Sequence, residues 1–119
     1  MFEFLIKKLK AHPRKIVFTE GTDARILEAS ARLLSGTFLT PVLVGNPDEI
    51  QAAAEEIGFN IRGAEIIDPA TFADMDKMVA TMVELRKGKM TEEQCRTALM
   101  QPNYFGTMLV KMGYADALL

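Results

Sequence analysis

Apolar positions along this chain repeat with two periods that take turns. Phe2, Leu5, Ile6 and Leu9 fall at i, i+3, i+4 and i+7, one helical stripe that Pro13 ends. Lys15-Ile-Val-Phe-Thr-Glu20 is short, β-branched and closed by Gly21, as a buried strand would be. From a cap at Thr22 a helix is expected to about Ser35, with Ile26, Leu27, Ala31 and Leu34 inward and Gly36 as its stop. Pro41-Val-Leu-Val-Gly45 predicts a second strand. Asn46-Pro47-Asp48-Glu49 then opens a helix to about Ile57: Asn46 can accept from backbone N–H groups, Pro47 suits the first position, and Gly58 ends it.

Ala64 to Ile67 reads as a third strand, ended by an Asp68-Pro69 turn, and a long helix is expected from Thr71 to about Lys87. Thr91 with Gln94 forms a second capping box, for a helix through Met100. Asn103 to Met112 is apolar nearly all round, which predicts a buried helix, and Ala115 to Leu119 starts a fourth strand. Strand and helix alternating in this way give an α/β fold: a parallel sheet covered by helices in three layers, αβα. With 119 residues there is room for one domain at most. Because the sequence stops on Asp116-Ala-Leu-Leu119, inside an expected core strand, residues 1–119 read as the N-terminal part of a first α/β domain in a longer chain, truncated after Leu119.

Composition narrows the function classes. Fourteen basic against sixteen acidic residues leave a net charge of −2, so nothing global favours nucleic acid. Lys7, Lys8, Lys10, Arg14 and Lys15 cluster as a solvated helix face does. A single cysteine, Cys95, rules out an internal disulfide framework, and one His beside it leaves no usual structural zinc site. There is no apolar run of membrane-spanning length and no signal-peptide order, so a cytoplasmic, soluble protein without a metal is expected.

Two arginines stand out. The stripe Phe72, Met75, Val79, Met82 continues to Arg86, and a guanidinium on an inward line must find an anion, reach water or carry a burial cost. It can bond the last carbonyls of its helix, or it can hold a ligand phosphate, which suits its fork. Arg25 lies in a first helical turn, where the dipole disfavours a cation. It can pair with Glu20 or another nearby carboxylate, or it can border a ligand crevice beyond the strand ends. The turn Glu20-Gly21-Thr22-Asp23-Ala24-Arg25 is neither a dinucleotide fingerprint nor a P-loop. Cys95 reads as a small buried hydrophobe, His12 as a turn residue, and Tyr104 and Phe105 as packing residues. No nucleophile, base and orienting residue can be assembled from these parts.

One resemblance does cover essentially all 119 residues. Asn103-Tyr-Phe-Gly-Thr-Met-Leu-Val-Lys-Met-Gly-Tyr-Ala-Asp116 resembles the signature of phosphate acetyltransferases (phosphotransacetylases). Glu20-Gly21 with Arg25, Val42-Leu-Val-Gly-Asn46, Ile66-Ile-Asp-Pro69, and Glu84-Leu-Arg-Lys87 before Met90-Thr91 fall in the family's order. The resemblance implies two α/β domains of the isocitrate-dehydrogenase-like type, paired as a homodimer, with the active site between domains. It implies that the thiol of coenzyme A attacks acetyl phosphate directly, helped by an aspartate base and by serine and arginine groups on the phosphate. Those groups belong to a later part of the family's chain, so no catalytic residue is expected here. Arg86 matches a family arginine implicated in binding coenzyme A, at its 3′-phosphate, and Arg25 matches another tied to the same substrate. The sequence departs from the family at Phe18-Thr-Glu-Gly21, commonly Leu-Pro-Glu-Gly, and at Lys87-Gly-Lys-Met90, one residue shorter than usual. The alternatives are a phosphate butyryltransferase, the transacetylase-like tail of a malic enzyme, a small α/β module holding a phosphorylated ligand through Arg25 and Arg86, and a purely structural or partner-binding domain.

Overall fold

Val17 and Phe18 are neighbours on one strand, both buried, and they point into different cores. That alternation organises the computed structural model, which describes residues 14–36 and 39–119. The helix expected over Phe2–Ala11, the lysines on it and His12 lie outside those residues. The elements in chain order are β1 (Arg14–Phe18), α1 (Ala24–Gly36), β2 (Leu39–Val44), α2 (Pro47–Ile57), β3 (Glu65–Ile67), α3 (Met75–Leu85), α4 (Glu92–Ala98), α5 (Pro102–Lys111) and β4 (Ala117–Leu118).

The described strands form one parallel sheet in the order β3-β2-β1-β4. Val17 lies opposite Val42, and Phe18 opposite Leu43. On one face Phe18 and Leu43 pack with Leu27 of α1 and Ile50 and Ala54 of α2. On the other, Val17, Val42 and Val44 pack with Met78, Val79 and Met82 of α3, Cys95 of α4 and Leu99 at its end, and Phe105 and Leu109 of α5. The expected three-layer αβα arrangement is therefore present, and it needs both middle strands apolar on both sides. The chain steps outward from β1 to β3, then crosses through α3–α5 to the opposite edge. The order reverses between β1 and β4, and ligand crevices in open α/β sheets lie beyond the carboxyl ends of strands at such a reversal.

Local chemistry explains most boundaries. Asn46 Oδ1 accepts from the Glu49 N–H at 3.1 Å, Pro47 opens α2, and Gly58 closes it with φ +79°. Thr91 and Gln94 make the reciprocal capping box of α4. α1 is capped by Asp23 rather than Thr22: its Oδ1 accepts from the N–H groups of Arg25 and Ile26 at 2.8 and 3.4 Å. A carboxylate also answers the helix dipole, which a hydroxyl cannot. α3 starts at Met75 rather than Thr71, because Asp68 turns the chain first, accepting from the Ala70 N–H through Oδ1 and from the Thr71 N–H through its carbonyl. After Leu85 the short loop is closed by two left-handed residues, Lys87 at φ +51° and Gly88 at +80°.

Two expectations about burial change. α5 is apolar on one face only: Phe105, Gly106, Met108 and Leu109 are buried, while Asn103, Tyr104, Thr107 and Lys111 face out. β4 is an exposed edge rather than a core strand. It is held to β1 by Asp116, whose carboxylate accepts from the Lys15 N–H at 2.7 Å and whose own N–H donates to the Lys15 carbonyl at 2.8 Å.

Gly21 follows β1 where the backbone comes closest to its neighbours. A Cβ there would lie 2.7 Å from Ile50 Cδ1 and 2.8 Å from the Val44 carbonyl oxygen. Gly21→Ala is therefore expected to lower stability by about 1–3 kcal/mol, read as a lower urea midpoint at constant m. An unchanged midpoint would mean that the strand ends part freely. Asp23 gives a pH prediction. The Arg25 side chain, and then the backbone N–H groups it caps, hold its carboxyl below the usual 3.8. A lowered folded-state value adds stability that is present above 3.8 and fades as the pH falls below it. Asp23→Asn keeps a capping oxygen but cannot titrate, so its stability is expected to fall less steeply over that acid window.

Candidate functional site

Arg86 ends α3 as its C-cap, its N–H bonded to the Met82 carbonyl at 2.9 Å. The buried stripe Met75, Met78, Val79, Met82 stops one turn earlier, and Arg86 is exposed rather than inward. The helix finishes there, and an unpaired guanidinium left in the core would cost several kcal/mol, on the order of the penalty for a buried charge. None of the ion pairs found among the described residues includes Arg86. It borders a groove of about 300 Å³ between α3 and α5, walled by Leu85 on one side and by Tyr104, Thr107 and Lys111 on the other, with Met82 and Met108 at its base.

Arg25 lies elsewhere. Its side chain is 89% exposed in the first turn of α1, with Nη2 3.4 Å from Asp23 Oδ2. The expected local pairing is thus made to Asp23, and that hydrogen bond raises the arginine's pKa, with a smaller contribution from the charge of Glu20. Beside it, beyond the ends of β1 and β2, a crevice of about 470 Å³ is lined by Thr19, Glu20, Asp23, Asn46 and Glu49 among others. Three carboxylates make that crevice unfavourable for a bare phosphate, and Arg25 is not among its lining residues. Arg25 and Arg86 belong to helices on opposite faces of the sheet, and no depression found among the described residues is lined by both.

Three other positions behave differently from their sequence reading or were not singled out. Tyr104, expected in the packing, is 42% exposed on the groove, while Phe105 is fully buried as expected. Lys111 reaches the same groove from the last turn of α5. The signal lay in the spacing 104, 107, 108, 111, a second helical stripe with a different character from the apolar one. Tyr114 donates its hydroxyl to Asp74, and this bond raises the tyrosine's pKa. Phe72 meets both the Phe105 and Tyr114 rings edge-on, with centroids 5.2 and 5.5 Å apart. Asp74 is the N-cap of α3, yet its side chain makes no cap bond. Among the described residues, Cys95 is buried, no group of three or more His, Cys, Asp or Glu side chains could hold a metal ion, and no helix is long and apolar enough to cross a membrane.

Known proteins resemble this chain from end to end. A phosphate acetyltransferase of Bacillus subtilis is 48% identical over 118 residues, 99% of this chain and 36% of that protein. A phosphate acetyltransferase of Staphylococcus aureus is 41% identical over the same length and shares. Among solved structures, a phosphotransacetylase from Streptococcus pyogenes matches with a TM-score of 0.88 at 43% identity, and one from S. aureus with 0.86 at 40%. Each match covers 98% of this chain and 36% of the other, so the chain spans about a third of the length of its relatives. The sequence profile described as Phosphate acetyl/butaryl transferase matches residues 1–119, and the chain belongs to that family.

Proposed function

We propose that the protein carrying this chain is a phosphate acetyltransferase, which exchanges an acetyl group between acetyl phosphate and coenzyme A, and that these residues form part of its coenzyme A site. The observation that carries the assignment is the position of Arg86: an arginine outside every ion pair found among the described residues, at the rim of an apolar groove. A guanidinium there offers two parallel donors to a phosphate, and the groove beside it accepts the less polar part of the same ligand. The names of the relatives support the acetyl reaction over the butyryl one.

In the reaction the coenzyme A sulfur forms a bond to the acetyl carbonyl carbon, the bond from that carbon to the phosphate oxygen breaks, and the thiol proton passes to a base. The base and the groups that hold the leaving phosphate belong to the remaining two-thirds of the protein. This stretch contributes binding energy rather than bond-making groups, as the N-terminal part of the first of two domains in a homodimeric, cytoplasmic enzyme. Arg25, exposed in the first turn of α1, is assigned a second contact to coenzyme A.

Arg86→Ala in the full-length enzyme is expected to raise KM for coenzyme A about tenfold, the scale of one lost charge-assisted contact, with a smaller rise in KM for acetyl phosphate. Steady-state kinetics with each substrate varied in turn would show it. Equal rises for both substrates would remove Arg86 from the coenzyme A site.

A further inference from the structure

We infer that Lys111 and Tyr104 complete the groove beside Arg86 as a site for the nucleotide end of coenzyme A, Lys111 as a second cation on its phosphates and Tyr104 as the face on which the adenine ring stacks. The inference deepens the function proposed above and depends on it.

Three observations converge on this groove. Its walls leave large apolar side chains in water: Leu85 is 51% exposed and Tyr104 42%. Two cations from different helices border the same space, and no carboxylate among the described residues lines it, in contrast to the three acids of the crevice beyond β1 and β2. An apolar floor between two cations that join no ion pair found among the described residues suits a ligand that is flat and weakly polar at one end and multiply anionic at the other, and an adenosine phosphate has that form. Finally, Tyr104 and Lys111 lie seven residues apart on one helix, two turns, so both reach one side of the groove while Arg86 stands on the other. Thr107, between them, already donates its hydroxyl to the Asn103 carbonyl at 2.8 Å, and serves as wall rather than as ligand contact. Lys111 also favours the negative end of the α5 dipole, but that interaction fixes neither the direction of its ammonium nor the exposed tyrosine beside it.

The test measures binding to the full-length protein by titration calorimetry with three probes: coenzyme A, adenosine 3′,5′-bisphosphate and 4′-phosphopantetheine. Lys111→Ala is expected to weaken the first two about tenfold and to leave the third within about twofold, because the lost contact belongs to the nucleotide. Lys111→Arg should restore most of the loss. Tyr104→Phe should bind as wild type, and Tyr104→Ser should lose affinity for the same two probes, as removal of a stacking face does. Unchanged affinity for the bisphosphate in both Lys111→Ala and Tyr104→Ser would overturn the inference, as would an equal loss for phosphopantetheine. If those variants fail in this way while Arg86→Ala still shows its selective effect on coenzyme A, only this inference falls. If the wild-type protein binds none of the three probes, the proposed function falls with it.

Discussion

Burial of β1 and β2 on both faces is the constraint from which the other features follow. A strand with water on one side can alternate apolar and polar residues; these two cannot, and Val17, Phe18, Val42, Leu43 and Val44 are all nearly or fully buried. Each face then needs its own cover of helices. α1 and α2 cover one face because the β1–β2 and β2–β3 crossovers step the same way across the sheet with one hand, and α3 to α5 cover the other because the chain steps back across it to β4. The groove and the crevice exist where those layers meet water. One lies between two helices of the second layer, and the other lies at the strand ends, where the turns into α1 and α2 leave the sheet.

The two depressions separate cleanly by charge. Topology alone would favour the crevice, since strand ends near a reversal of order are where open α/β sheets bind ligands. Glu20, Asp23 and Glu49 argue against a phosphate there, and the Arg25 guanidinium already faces Asp23. The helix–helix groove has the opposite character, with cations and no acid.

Much of the fold was legible because it is written in local chemistry. Asn46, Pro47 and Gly58 mark α2 through groups within a few residues of each other, and Thr91 with Gln94 marks α4 in the same way. What was misread depended on which of several neighbouring groups takes a backbone N–H, or on how an element packs. The cap of α1 went to Asp23 rather than Thr22, and α3 lost its first four expected residues to the hydrogen bonds of Asp68. For Arg86, periodicity extended the buried stripe past the point where the helix ends. Tyr104 was misplaced because an aromatic beside Phe105 reads as core, and only the packing of α5 shows which of the two faces the sheet. The family itself was legible from an ordered series of short motifs, each weak alone.

Gly106 shows how far such effects travel. It is buried on α5, and a Cβ there would come within 2.9 Å of Leu118, 3.0 Å of Thr19 and 3.3 Å of Val17, side chains of β4 and of β1 and the turn after it. The bare backbone sets how deeply α5 sinks onto the sheet, and Tyr104 and Lys111 ride on that helix. A single methyl group on the hidden side of α5 would force the helix or its neighbours to shift, and with them the wall of the groove opposite Arg86. Natural variation at this interior position would then register as a changed groove, with no change in any residue that lines it.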